Sequence, residues 1–271
     1  MPYRHAHYFV GFVLLVIMVG FWASYFSVVK AVPLAFHVHA VSSMTWLGLL
    51  IAQHLSIHKR MNALHKQMGL ASFALFPFLI LGFVMIINVS AKGFAAGDNP
   101  FYTYIAPAFG TAMWVAIAAY LTLFYLALKH RRNVRLHAGY MLATPLILFK
   151  SPFGRFMDLL FPAWNFIGSE GPHAILDTIA ISDGIAIVFA MTLYFMDRKH
   201  GAPWLVASGF MAVQAVLTWF TPQMPFMADL FGAYATIPEA VTLVVGLALG
   251  AAAAWFGWEA GKPPARKPAV A

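Results

Sequence analysis

Residues 68–91 read MGLASFALFPFLILGFVMIINVSA, and no acid or base interrupts them. About twenty apolar residues in a helix are enough to cross a ~30 Å hydrocarbon layer. The same pattern recurs on either side. Long apolar runs predict eight helical segments, over roughly 8–29, 33–57, 67–91, 104–128, 137–160, 174–196, 203–221 and 238–258. Breakers separate them: Pro33, Gly97-Asp98-Asn99-Pro100, Gly171-Pro172, Gly201-Ala202-Pro203 and Pro238. Strand alternation is absent, which argues against a membrane barrel. Only 10% of the 271 residues are charged and 62% are hydrophobic, whereas soluble domains carry about 25% charged residues. The expected fold is all-α, a polytopic transmembrane bundle of about eight helices in one domain over 1–260. Hairpins 33–91 and 104–160 are repeat-like, and a disordered tail is expected over 261–271. The first segment is too long for a cleavable signal and lacks a small-residue cleavage site.

The basic residues set an expected orientation. Of 17 Lys and Arg, 13 fall at one set of helix ends, and only Lys30 and Lys92 at the other. The positive-inside rule then places both termini in the cytoplasm, in the inner membrane of a bacterium. The net charge of +8 is thus a topology signal with affinity for anionic lipid headgroups, not for nucleic acid. Zero cysteines exclude disulfides, thiolate metal sites and thiol catalysis.

Two basic turns look alike. One reads HKRMNALH (58–65) and the other HRRNVRLH (130–137). Each opens and closes on histidine. With His5, His7, His54 and His200, they gather eight of the eleven histidines at one membrane face. Imidazole is the commonest neutral metal ligand, and a helix bundle can aim such groups into one site. The spacing makes His65 and His137, with His58 and His130, candidates for holding haem b. His54, His58, His65, His130, His137 and His39 are candidates for iron or zinc. The alternative reading is interfacial histidine in turns that topology alone makes basic.

Four stretches carry a resemblance: FHVHAVSSMTWLGLLIAQ (36–53), LHKQMG (64–69), LHAGYMLATPLILFKSPFGR (136–155) and ISDGIAIVFAMTLYFMDRKHGAP (181–203). They resemble a family of bacterial multi-pass membrane proteins over roughly residues 8–215. The resemblance implies His39, Gln53, His65, His137, Arg155 and Asp183 as candidate positions and brings no activity. More distantly, histidines in a helix bundle are similar to the transmembrane di-haem b-type cytochromes. Those place ligand pairs at both membrane faces, whereas here the second face offers only His37, His39 and His173.

Charges inside spans are costly and mark functional sites. Lys150 and Asp183 fall at nearly equal depth, counted at about 1.5 Å per residue; either they pair or share a polar cavity, or Lys150 snorkels outward and Ser182 or backbone satisfies Asp183. Arg155 and Asp158, three apart, are expected to form an ion pair. His173 and Asp177, four apart, either interact and, with His39 and Asp183, outline a second polar site, or His173 simply starts a helix after Gly171-Pro172. Gly246, Gly250 and Ala251–Ala254 give the last segment a small-residue face for close packing or a homodimer. The leading functional expectation is a haem- or metal-binding membrane redox protein exchanging electrons with a quinone or protein partner. The alternatives are a non-haem metal enzyme on lipid-like substrates and a proton-coupled transporter using Lys150 and Asp183.

Overall fold

The computed structural model describes residues 2–263. Nine α-helices run through the described residues, with no strand among them. They are α1 (Ala6–Gly20), α2 (Leu34–His58), α3 (Asn62–Ala96), α4 (Pro100–Lys129), α5 (Val134–Leu160), α6 (Ala174–Met196), α7 (Ala202–Phe220), α8 (Pro225–Ala235) and α9 (Glu239–Ala260). Six of them, α2, α3, α4, α6, α7 and α9, are long and apolar enough to cross a membrane. α5 is of similar length but carries Arg135, Lys150, Arg155 and Asp158. Large apolar side chains such as Phe78, Val188, Val244 and Trp255 stand exposed on the outer surface. A surface of that kind is solvated by lipid, and the protein is a multi-pass membrane protein.

Local chemistry sets the helix ends. Asn99 accepts from the amides of Phe101 and Tyr102, with Pro100 at the first helical position of α4. Asn133 accepts from the Leu136 amide and starts α5. α3 stops where Gly97 takes a left-handed conformation, φ 69°.

Two expected elements differ. The first segment does not continue to residue 29: α1 ends at Gly20 and gives way to a short π-turn, Trp22–Phe26. A Cβ on Gly20 would collide with the Pro152 carbonyl oxygen, so α1 meets α5 backbone to backbone there. α8, eleven residues long, lies in a stretch read as a connection. Its length, about 16 Å, is too short to span. The tail assigned to 261–271 falls outside the described residues from 264 onward; Lys262, within them, pairs with Glu259 at 2.6 Å.

α4 is central, packed against α3, α5, α7 and α9. Between α2, α3, α4 and α5 the core is an aromatic plug. Trp46, Phe76, Tyr120 and Phe124 are fully buried, with the Phe76 and Phe124 rings stacked at 4.1 Å. The plug is keyed by polar contacts: Trp46 Nε1 donates to Thr144 Oγ1 and Tyr120 Oη to the Thr144 carbonyl, both at 2.9 Å. The small-residue face of the last helix is spent inside the chain. A Cβ on Gly250 would meet Pro77 Cα at 2.7 Å, and one on Gly257 the Tyr125 carbonyl oxygen at 2.8 Å.

Candidate functional site

The eight histidines at the basic end do not form one centre. His65 and His137 start α3 and α5 in equivalent places: the amide of each donates to the carbonyl four residues back, Met61 and Asn133. They lie within electrostatic reach of one another. His137 Nδ1 donates to the Ala127 carbonyl at 2.8 Å, and His65 Nδ1 is buried without a partner. The other two turn histidines go elsewhere. His130 stacks on Tyr140 with ring centres 5.8 Å apart. Burial first and the Lys129 charge second hold the His130 imidazole below its ordinary value. His58 joins a column of rings with His54 and His7, at centroid distances of 4.1 and 5.0 Å. His54 Nε2 donates to the Tyr3 carbonyl and His58 Nδ1 to the His54 carbonyl, each at 2.8 Å. Three nitrogens of this column, His7 Nδ1, His54 Nδ1 and His58 Nε2, have no partner. Among the described residues no three His, Cys, Asp or Glu side chains are arranged to hold a metal ion. His200 binds Asp197, which Arg135 also holds at 2.9 Å.

The charged groups within the helices do come together. Lys150 Nζ on α5 and Asp183 Oδ2 on α6 are 3.8 Å apart, with side chains 7% and 1% exposed. That separation exceeds a hydrogen bond. Lys150 Nζ and both Asp183 oxygens have no hydrogen-bond partner. Ser182, the obvious local donor, gives its hydroxyl to the Thr178 carbonyl instead. A buried charge pair without supporting hydrogen bonds is poorly stabilised, and it can exchange one proton to become a neutral amine and acid.

The remaining polar groups are satisfied structurally. Asp177 accepts from Ser169 N and Oγ at 2.7 and 2.8 Å and from Trp219 Nε1 at 2.9 Å. It pins the 161–173 connection to α6 and α7 and does not bind His173. That ring instead meets Tyr104 Oη at 2.8 Å and packs edge-on to Trp219. The outer cluster is therefore not assembled around His173 and Asp177, and His173 stands at the start of α6, the other position its sequence context allowed. His39 packs against Phe83, with Nδ1 buried and without a partner. Arg155 does not pair with Asp158: it donates to Ser151 Oγ at 2.7 Å and lies over the Phe21 ring, because α1 brings that aromatic face within reach. Gln53 lies against α3 at Gly69. A cavity of about 490 Å³, lined by Met157, Trp164, Phe166, Ile181 and Gly184 among others, opens beside α6 and is almost wholly apolar.

No family model, curated protein or solved structure matches the chain.

Gln214 is a buried polar residue with no signal in the sequence to single it out. It lies mid-helix in α7, 1% exposed, donating Nε2 to the Ala112 carbonyl. One amide in an apolar run gives no periodic signal.

Proposed function

We propose that this is a proton-coupled transporter of a bacterial inner membrane. The Lys150–Asp183 pair is its proton-carrying group. The carrying observation is that two opposite charges face each other inside the helical bundle with no hydrogen bond to fix either state. Groups of that kind, buried at mid-depth, serve as proton relays. Both ends of the domain lie in the cytoplasm in this reading, because the basic turns at 59–60 and 129–135 share a side with Arg4 and Lys262. α1 and α5 complete eight crossings, and α8 lies in the interface.

The test uses proteoliposomes with an entrapped pH dye and a clamped potential, challenged with a panel of small organic solutes. Solute-dependent proton movement in wild type that disappears in Asp183→Asn is the expected result. Proton movement that persists unchanged in Asp183→Asn sinks the proposal.

A second reading rests on His65 and His137. A ring that donates one nitrogen to a carbonyl and leaves the other bare is arranged as a metal ligand is, and His137 has that form. These two imidazoles would bind haem b, or iron or zinc, at the rim of the bundle, since the aromatic plug closes its core. Bound haem would supply one-electron chemistry with a quinone or protein partner. An absorbance spectrum and metal analysis of one purified sample decide it. A reducible Soret band that is lost in His65→Ala and His137→Ala favours this reading, and a colourless, metal-free protein excludes it.

A further inference from the structure

Helix register places Gln214 in the layer of the proton-carrying pair. On α5 and α7, which run in the same direction, Gly139 meets Pro203: a Cβ on the glycine would lie 2.8 Å from Pro203 Cγ. Eleven residues further along each helix stand Lys150 and Gln214. On α6 and α7, which run oppositely, Asp177 accepts from Trp219. Six residues inward from that bond stand Asp183 and residue 213. Two independent contacts therefore set Gln214 level with both members of the pair, and α5, α6 and α7 pack on one another.

The hydrogen bonding of Gln214 is half complete. Its Nε2 is committed to the Ala112 carbonyl, while Oε1 is buried without a partner. One turn on, Thr218 Oγ1 is likewise buried and unpaired. An orphaned amide oxygen in the span costs free energy that only a donor recovers. Lys150 has three donors and no acceptor to spend them on. A gap of 3.8 Å is one that a water bridges from the side.

Resting on the transporter reading above, we propose that Gln214 is the third member of the Lys150–Asp183 site. Its carbonyl oxygen holds a buried water that carries the proton between the other two. The ammonium donates a proton to the water as the water passes one to the carboxylate. A neutral amine, a neutral acid and the same water result. Gln214 is thus a positioning residue. Among the described residues Lys150 is the one charged group acting on Asp183. α7 contributes no acid, base or histidine, and α4 contributes none before Lys129. Asp177, the other acid of α6, is bonded to Ser169 and Trp219.

The test follows the carboxylic-acid C=O stretch of Asp183 by infrared difference spectroscopy on the full protein in lipid, with Asp183→Asn as the blank. Gln214→Met keeps the side-chain length and removes the oxygen. It is expected to move the pH midpoint of the band by about one unit, tenfold in proton affinity. Gln214→Asn, which withdraws the oxygen but keeps the amide, serves as a second variant and is expected to move it in the same direction. A wild-type midpoint in a folded variant overturns the role of Gln214 while leaving the transporter reading intact. A wild-type band that never changes with pH defeats the transporter reading itself.

Discussion

At the scale of the residue, the decisive feature is that, among the described residues, Lys150 and Asp183 are each other's only charged partner. Removing one leaves the other buried and uncompensated, which costs about 3–5 kcal/mol in soluble proteins. Lys150→Met and Asp183→Leu are each expected to destabilise by up to that amount in thermal unfolding in detergent. The double variant is expected to lose less than the sum of the two. Strict additivity would mean that the two groups do not interact. Asp197, in the turn after α6, gives a pH-dependent contact of a different kind. Burial raises its pKa, but the His200 hydrogen bond, the His200 charge and Arg135 outweigh it, so the carboxyl is held below its ordinary value. A depressed carboxyl contributes its stability above its unfolded value and loses it as pH falls through the folded one. Hydrogen-exchange protection of 198–201, corrected for intrinsic rates, is therefore expected to hold from neutrality down to about pH 4 and to fall below it.

At the scale of the element, close helix contacts decide which glycines matter. Gly250 abuts the Pro77 backbone, whereas a Cβ on Gly48 of α2 would have nothing within 4 Å. Gly250→Ala is expected to cost about 1–3 kcal/mol by overpacking. Gly48→Ala is expected to be neutral or to stabilise by up to about 1 kcal/mol through helix propensity. Paired melting curves compare the two, and equal effects would contradict the α3–α9 contact. Long apolar runs made most of these helices legible in the sequence, and Asn99 and Gly97 marked real ends. α1 stops early at Gly20, where it lies against Pro152, a contact far away in sequence that no local signal announces. α8 was hidden by its length, since eleven residues are too few for a span. The look-alike turns were legible as a repeat in the placing of His65 and His137. They were misleading for His58 and His130, whose surroundings α1 and Tyr140 supply. The Lys150–Asp183 pair was readable because depth along a helix can be counted. Gln214 was not, because its place depends on how three helices are set against each other.

At the scale of the whole molecule, six apolar helices and a lipid-compatible surface define a membrane protein with its basic turns at one end. The absence of cysteine makes the orientation simple to measure with single introduced cysteines. Asn133→Cys is expected to react with an impermeant thiol reagent only from the cytoplasmic side, and Asp98→Cys only from the other side. The reverse pattern would overturn the assigned topology. Inside this frame the aromatic plug closes one half of the bundle, and the polar layer of Lys150, Asp183 and Gln214 lies between α5, α6 and α7. The central claim is that Asp183 gains and loses a proton while buried. Its C=O stretch, followed in lipid across about pH 4 to 10, measures this most directly. The account predicts a band that rises and falls with pH and is missing in Asp183→Asn; an Asp183 that stays in one protonation state throughout would contradict it.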